Sequence, residues 1–81
     1  MNKLLVFSAS WCGPCNGFKP TLLELDQERL IYVDIDEKPE IRADYEVRSV
    51  PTVILVDEDG TEIERLVGAQ SLSRLQELLN V

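Results

Sequence analysis

The sequence contains no histidine, only two cysteines, one tryptophan and one methionine, and eight Lys and Arg against fifteen Asp and Glu. Each scarcity closes a class of function. A structural zinc site takes four ligands, so without histidine the one zinc reading is a Cys₄ site shared between two chains. The shortage of cations leaves a net charge of −7. That balance excludes nucleic acid and anionic membrane surfaces as partners, because affinity for phosphates comes largely from Lys and Arg displacing counterions. The apolar run at the start, Leu4 to Phe7, falls short of the roughly 7–15 residues of a secretory h-region. A lipid-attachment reading of Cys12 would want a small residue where Trp11 stands. The expected setting is therefore cytoplasmic and reducing, where two cysteines point to catalysis or metal binding rather than a structural staple.

What is present suffices for one core. With 81 residues, 44% of them hydrophobic, the chain reads as a single domain spanning 1–81, burying on the order of 60–65% of its unfolded surface. Residues 1–33 are neutral overall, residues 34–64 carry three basic and eleven acidic groups, and residues 65–81 carry two basic and one acidic. The acidic segment reads as a solvated face that favours solubility.

Periodicity divides the chain into seven short elements. Lys3 to Ser8 reads as a buried strand. Phe18, Leu22 and Leu25 fall on one face of a helix predicted from Gly13 to about Glu28, with Pro14 in its first turn, where no donor is wasted. Pro20 lies inside that helix and lacks the N–H that would bond the Asn16 carbonyl, which predicts a kink. Leu30 to Ile35 reads as a second strand, Pro39 to about Tyr45 as a short helix with Ile41 and Tyr45 inward, and Thr52 to Val56 as a third strand. Asp57-Glu58-Asp59-Gly60 supplies the turn of a hairpin to Glu62–Val67. Ser71 is placed to cap a last helix carrying Leu72, Leu75, Leu78 and Leu79 on one stripe. The order βαβαββα implies an α/β fold whose first two strands are parallel, joined by a right-handed crossover.

One constellation carries chemistry: Trp11-Cys12-Gly13-Pro14-Cys15, placed after a strand and at the start of a helix. Two thiols three positions apart can close and reopen a small disulfide ring without moving the fold. The helix start stabilises an anion, and the thiolate is the species that attacks a disulfide. Cys12, nearer the exposed turn, is expected to be the nucleophile and Cys15 the resolving thiol.

These residues resemble the active site of the thioredoxin family, and the likeness extends along essentially the whole chain. Pro20 falls where thioredoxins kink the active-site helix. Arg48-Ser49-Val50-Pro51-Thr52 looks like their cis-proline loop, and Val67-Gly68-Ala69 with Ser71 resembles their last strand and helix start. The resemblance implies a three-layer α/β/α core with a four-stranded mixed sheet of order 2-1-3-4, the first and third helices on one face and the second on the other. It implies a cis peptide at Val50-Pro51, with Pro51 discouraging metal capture and Val50 offering its backbone to an extended substrate. Substrate contacts are expected from Trp11, Val50, Pro51 and Gly68, with Gly13 and Pro14 shaping the active-site turn. It further implies no bound cofactor, protein disulfides as substrates, a thioredoxin reductase or similar flavoenzyme as electron donor, and a monomer.

The chain departs from the family pattern at several places. The strand and helix that thioredoxins place before the active-site strand have no counterpart here, so the chain is similar in size to glutaredoxins. The buried Asp six residues before the first Cys, and its Lys partner, correspond to Val6 and Tyr32; water or the Tyr32 hydroxyl would then have to serve Cys15. Ser8 stands where a second Trp is common. Two other functions are weighed against the protein-disulfide reductase. In a glutaredoxin-like enzyme, Gly68-Ala69-Gln70-Ser71 lacks the Gly-Gly pair and acidic residue that hold glutathione. In a binding module, the same surface would dock a larger enzyme with redox chemistry secondary.

Overall fold

Alternation along the first strand sets the architecture. In the computed structural model, which describes residues 1–80, β1 (Lys3–Ser8) buries Leu4 and Val6 against one face of the sheet and Leu5 and Phe7 against the other. Side chains on a strand point alternately to its two faces, so a strand apolar on both needs a layer on each side. The remaining elements are α1 (Gly13–Leu22), a single 3₁₀ turn at Gln27–Arg29, β2 (Leu30–Asp34), α2 (Pro39–Asp44), β3 (Thr52–Val56), β4 (Glu62–Val67) and α3 (Leu72–Leu79).

The four strands form one sheet of order β2-β1-β3-β4. β1 runs parallel to β2 with Val6 opposite Tyr32, and antiparallel to β3 with Leu5 opposite Ile54. β3 and β4 form the hairpin, with an irregularity between Leu55 and Val56. Every residue of central β3 is buried. Phe18 and Leu22 of α1 and Leu75, Leu78 and Leu79 of α3 pack with Leu4, Val6, Val53 and Leu55 on one face. On the other, Ile41 and Tyr45 at α2 pack with Leu5, Phe7, Val33 and Ile54. This is the mixed four-stranded sheet between helical layers that the family resemblance implied.

The helix predicted to run to about Glu28 ends at Leu22 instead. The backbone tightens there, with the Glu24 and Leu25 N–H groups bonding back to the Thr21 and Leu22 carbonyls. The Gln27 side-chain amide donates to the carbonyls of both Leu22 and Leu25, each at 2.8 Å. Asp26 then caps the 3₁₀ turn by accepting from the Glu28 N–H. Helix ends leave carbonyls that need donors, and Gln27 supplies them. Leu25 stays in the core despite lying outside the helix. Arg29 closes the segment by donating to the Asn2 and Leu79 carbonyls.

Candidate active site

β1 delivers the chain to the sheet edge at Ser8, and the next residues turn into α1. The Cys12 N–H bonds the Ala9 carbonyl at 3.2 Å, and the Asn16 N–H bonds the Cys12 carbonyl to open the helix. Cys12 is the residue before the helix, with extended backbone, and its sulfur accepts the Cys15 N–H at 3.1 Å. Ser, Thr, Asp or Asn usually supplies this cap; here Cys12 Sγ takes the place of the oxygen. The atom that would carry the thiolate charge therefore sits where the helix dipole and an N–H donor favour an anion.

Cys12 and Cys15 are joined in a disulfide with their Cα atoms 5.2 Å apart. Both residues are buried, Cys12 at 4% exposure and Cys15 at 3%, so accessibility alone does not distinguish them. Their neighbours do. Cys12 Sγ lies 3.6 Å from the Val50 carbonyl oxygen. Cys15 lines a crevice of about 20 Å³ whose apolar walls are Val6, Phe18, Leu22 and Pro51 and whose polar residues are Ser8, Lys19 and Tyr32.

Facing the disulfide is the segment before β3. The Val50–Pro51 peptide is cis. Thr52, 2% exposed, donates from its hydroxyl to the Ser49 carbonyl at 2.8 Å, and the Gly68 N–H donates to the Pro51 carbonyl at 2.8 Å. Arg42 adds a bond from its Nε to the Val47 carbonyl. Gly68 has φ +91°, the left-handed region that glycine enters without steric cost, and this turn carries its N–H to Pro51. Val50 and Pro51 thus lie against the cysteines, Gly68 is bonded to Pro51, and Gly13 and Pro14 are exposed in the first turn of α1.

Trp11 is 67% exposed and its indole N–H donates to Asp36 Oδ2 at 2.8 Å. In the sequence Asp36 is one residue of the acidic surface. Its place is a consequence of topology: β1 and β2 are parallel neighbours, so the residues just past their C-terminal ends share one edge of the sheet. The expectation for Tyr32 is corrected. Its hydroxyl donates to Gln27 Oε1 at 2.8 Å, so its one proton is directed to the 3₁₀ turn and not to Cys15, although the residue lines the same crevice. Partial burial pushes the Tyr32 hydroxyl above the ordinary phenol value. Among the described residues no group of His, Cys, Asp and Glu side chains has the arrangement of a metal site, and no helix is long and apolar enough to cross a membrane.

Comparison with known proteins agrees with this geometry. The thioredoxin family model matches residues 1–81. A thioredoxin of Bacillus subtilis is 44% identical over 79 residues, covering 91% of this chain and 75% of the relative. A thioredoxin of Staphylococcus aureus is 42% identical over 83 residues, covering 96% and 79%. Among solved structures, a mutant thioredoxin from Halobacterium salinarum superposes with a TM-score of 0.88 at 34% identity, covering 98% of this chain and 72% of that one. Mitochondrial thioredoxin 3 from Saccharomyces cerevisiae, in its oxidized form, gives 0.84 at 32%, covering 99% and 78%. A disulfide at a helix start, on this sheet and with these relatives, makes the chain a thiol-disulfide oxidoreductase belonging to the thioredoxin family.

Proposed function

We propose that the protein is a cytoplasmic protein-disulfide reductase in which Cys12 is the nucleophile and Cys15 the resolving thiol. The observation that carries the assignment is the Cys15 N–H bonded to Cys12 Sγ at the start of α1. In the reduced protein, the Cys12 thiolate attacks one sulfur of a substrate disulfide, forming a mixed disulfide and expelling the other substrate sulfur as a thiolate, which takes up a proton. The Cys15 thiolate then attacks Cys12 Sγ, the bond to substrate breaks, and the second substrate thiol leaves. Two electrons pass to the substrate and the Cys12–Cys15 disulfide remains. The pair is itself the redox centre, so the reaction calls for no bound cofactor, and a flavoenzyme of the thioredoxin reductase type is the donor that restores the dithiol.

Trp11, Val50, Pro51 and Gly68 form the substrate platform. Its exposed indole and the Val50 backbone suit an extended peptide laid beside the disulfide as a short added strand. Gly13 and Pro14 keep the turn between the thiols small. One monomer carries the whole site. The test is insulin reduction driven by dithiothreitol. Cys12→Ser is expected to abolish turnover, and Cys15→Ser to accumulate a covalent complex with substrate, detected by mass. Turnover retained by Cys12→Ser would overturn the assignment.

A further inference from the structure

Resolution of the mixed disulfide requires Cys15 as a thiolate, because the thiolate is the attacking species, yet no carboxylate lines the crevice behind it. Three elements and one loop enclose that crevice. α1 contributes Lys19, β1 contributes Val6 and Ser8, β2 contributes Tyr32, and the loop before β3 contributes Pro51. The titratable groups facing Cys15 are therefore Lys19 and Tyr32, and the Tyr32 hydroxyl is committed to Gln27. Lys19 lies one turn after Cys15 on the same face of α1, since residues four apart on a helix are neighbours. Among the described residues its ammonium makes no ion pair or hydrogen bond, and neither does the Ser8 hydroxyl.

From this placement we infer that Lys19 is a positioning residue for the resolving step, its ammonium stabilising the Cys15 thiolate across the crevice while the proton departs to water beside Ser8. The inference rests on the assignment of Cys15 as resolving thiol. A nearby opposite charge favours the ionised form of a thiol, and a crevice of about 20 Å³ has room for one water molecule. The balance is simple. The Cys15 S–H bond gives its proton to that water and its electron pair to sulfur. The thiolate then forms the bond to Cys12 Sγ, and the substrate leaves with the electron pair of the broken bond and takes a proton from solvent.

The experiment places Lys19 variants in a Cys12→Ser background, where Cys15 is the one thiol left, and follows its ionisation against pH by thiolate ultraviolet absorbance. Lys19→Met is expected to lower the thiolate fraction below the midpoint about threefold, the size of a screened charge interaction across several ångströms. Lys19→Glu should lower it further, and Lys19→Arg should restore it. In the parent, added KCl should raise the midpoint, a change that Lys19→Met should not show. A Lys19→Met titration matching the parent, or a Lys19→Arg titration matching Lys19→Met, would overturn the inference. Should Lys19→Met fail to fold, the parent's salt response decides, and its absence overturns the idea. Trapping of a covalent complex with substrate by Cys15→Ser reads the underlying assignment separately, so the two failures are distinguishable.

Discussion

Two glycines separate conformational need from mere smallness. Gly17 lies within α1, and a Cβ added there meets nothing within 4 Å. Glycine in a helix interior costs roughly 0.5–1 kcal/mol relative to alanine, so Gly17→Ala should stabilise the fold by about that much and raise the midpoint of urea unfolding. Gly60 has φ +82°, and a Cβ there would lie 3.3 Å from the Tyr45 hydroxyl, which itself donates to the Gly60 carbonyl. Gly60→Ala should therefore destabilise by about 1 kcal/mol or more; equal midpoints for the two variants would refute the contrast. Glu62 offers a pH test. Hydrogen bonds from Arg65 Nε and Nη2, at 2.8 and 2.7 Å, hold its carboxyl below the ordinary value. A depressed carboxyl contributes stability above its unfolded pKa and loses it as pH falls through the folded one. Glu62→Gln should thus melt lower at neutral pH and show a shallower fall in acid, by a small amount because the pair is about one-third exposed. The reactive residues were legible in the sequence because two thiols, a Pro and a Gly at this spacing have few other uses. Asp36 was not, since it meets Trp11 only because the parallel strands β1 and β2 end side by side, a pairing that spacing along the chain does not encode.

At the scale of elements, the strands read directly because each carries a continuous or alternating apolar run. The end of α1 did not, because Leu25 continues the helical apolar spacing while the hydrogen bonds from Gln27 stop the helix at Leu22. Periodicity reports which side chains are buried; it does not report where the backbone carbonyls find their donors. α3 joins both kinds of information. Ser71 Oγ accepts the Arg74 N–H at 3.2 Å, and Leu75 and Leu78 are fully buried against the α1 face of the sheet. Ser71→Ala should cost about 1 kcal/mol through the lost cap. Leu75→Ala should cost about 2–5 kcal/mol through lost burial and the cavity left behind, a large part of the whole stability of so small a domain. Urea unfolding followed by circular dichroism measures both. A cap variant more damaging than the core variant would mean that α3 is held by its end rather than by its stripe. Neither residue touches the cysteines, so insulin reduction per folded molecule should stay unchanged.

For the whole molecule, charge is the property left over once fold and site are accounted for. Eleven of the fifteen acidic residues fall between positions 34 and 64, a stretch that runs from the end of β2 through α2 and β3 into β4. Because α2 and the β3–β4 hairpin fold toward the same layer around Tyr45, Arg65 and Gly60, folding gathers these carboxylates closer than an extended chain would. Few cations answer them: the ion pairs among the described residues are those of Arg65 with Glu62, Arg74 with Glu64 and Glu77, and the N-terminal ammonium with Glu58. Exposed pairs of this kind contribute little each, whereas self-repulsion of an excess of like charge acts on the compact state as a whole. Salt weakens both, and at about 0.15 M it screens exposed charges beyond roughly 8 Å, which removes more repulsion than attraction here. Raising KCl from a few millimolar to about 0.2 M at neutral pH should therefore raise the thermal midpoint. KCl is the salt of choice because sulfate would also strengthen apolar burial and give the same sign for another reason. A midpoint that falls with KCl would mean that the Arg65 and Arg74 ion pairs outweigh the repulsion, and Arg74→Met should then abolish much of the fall.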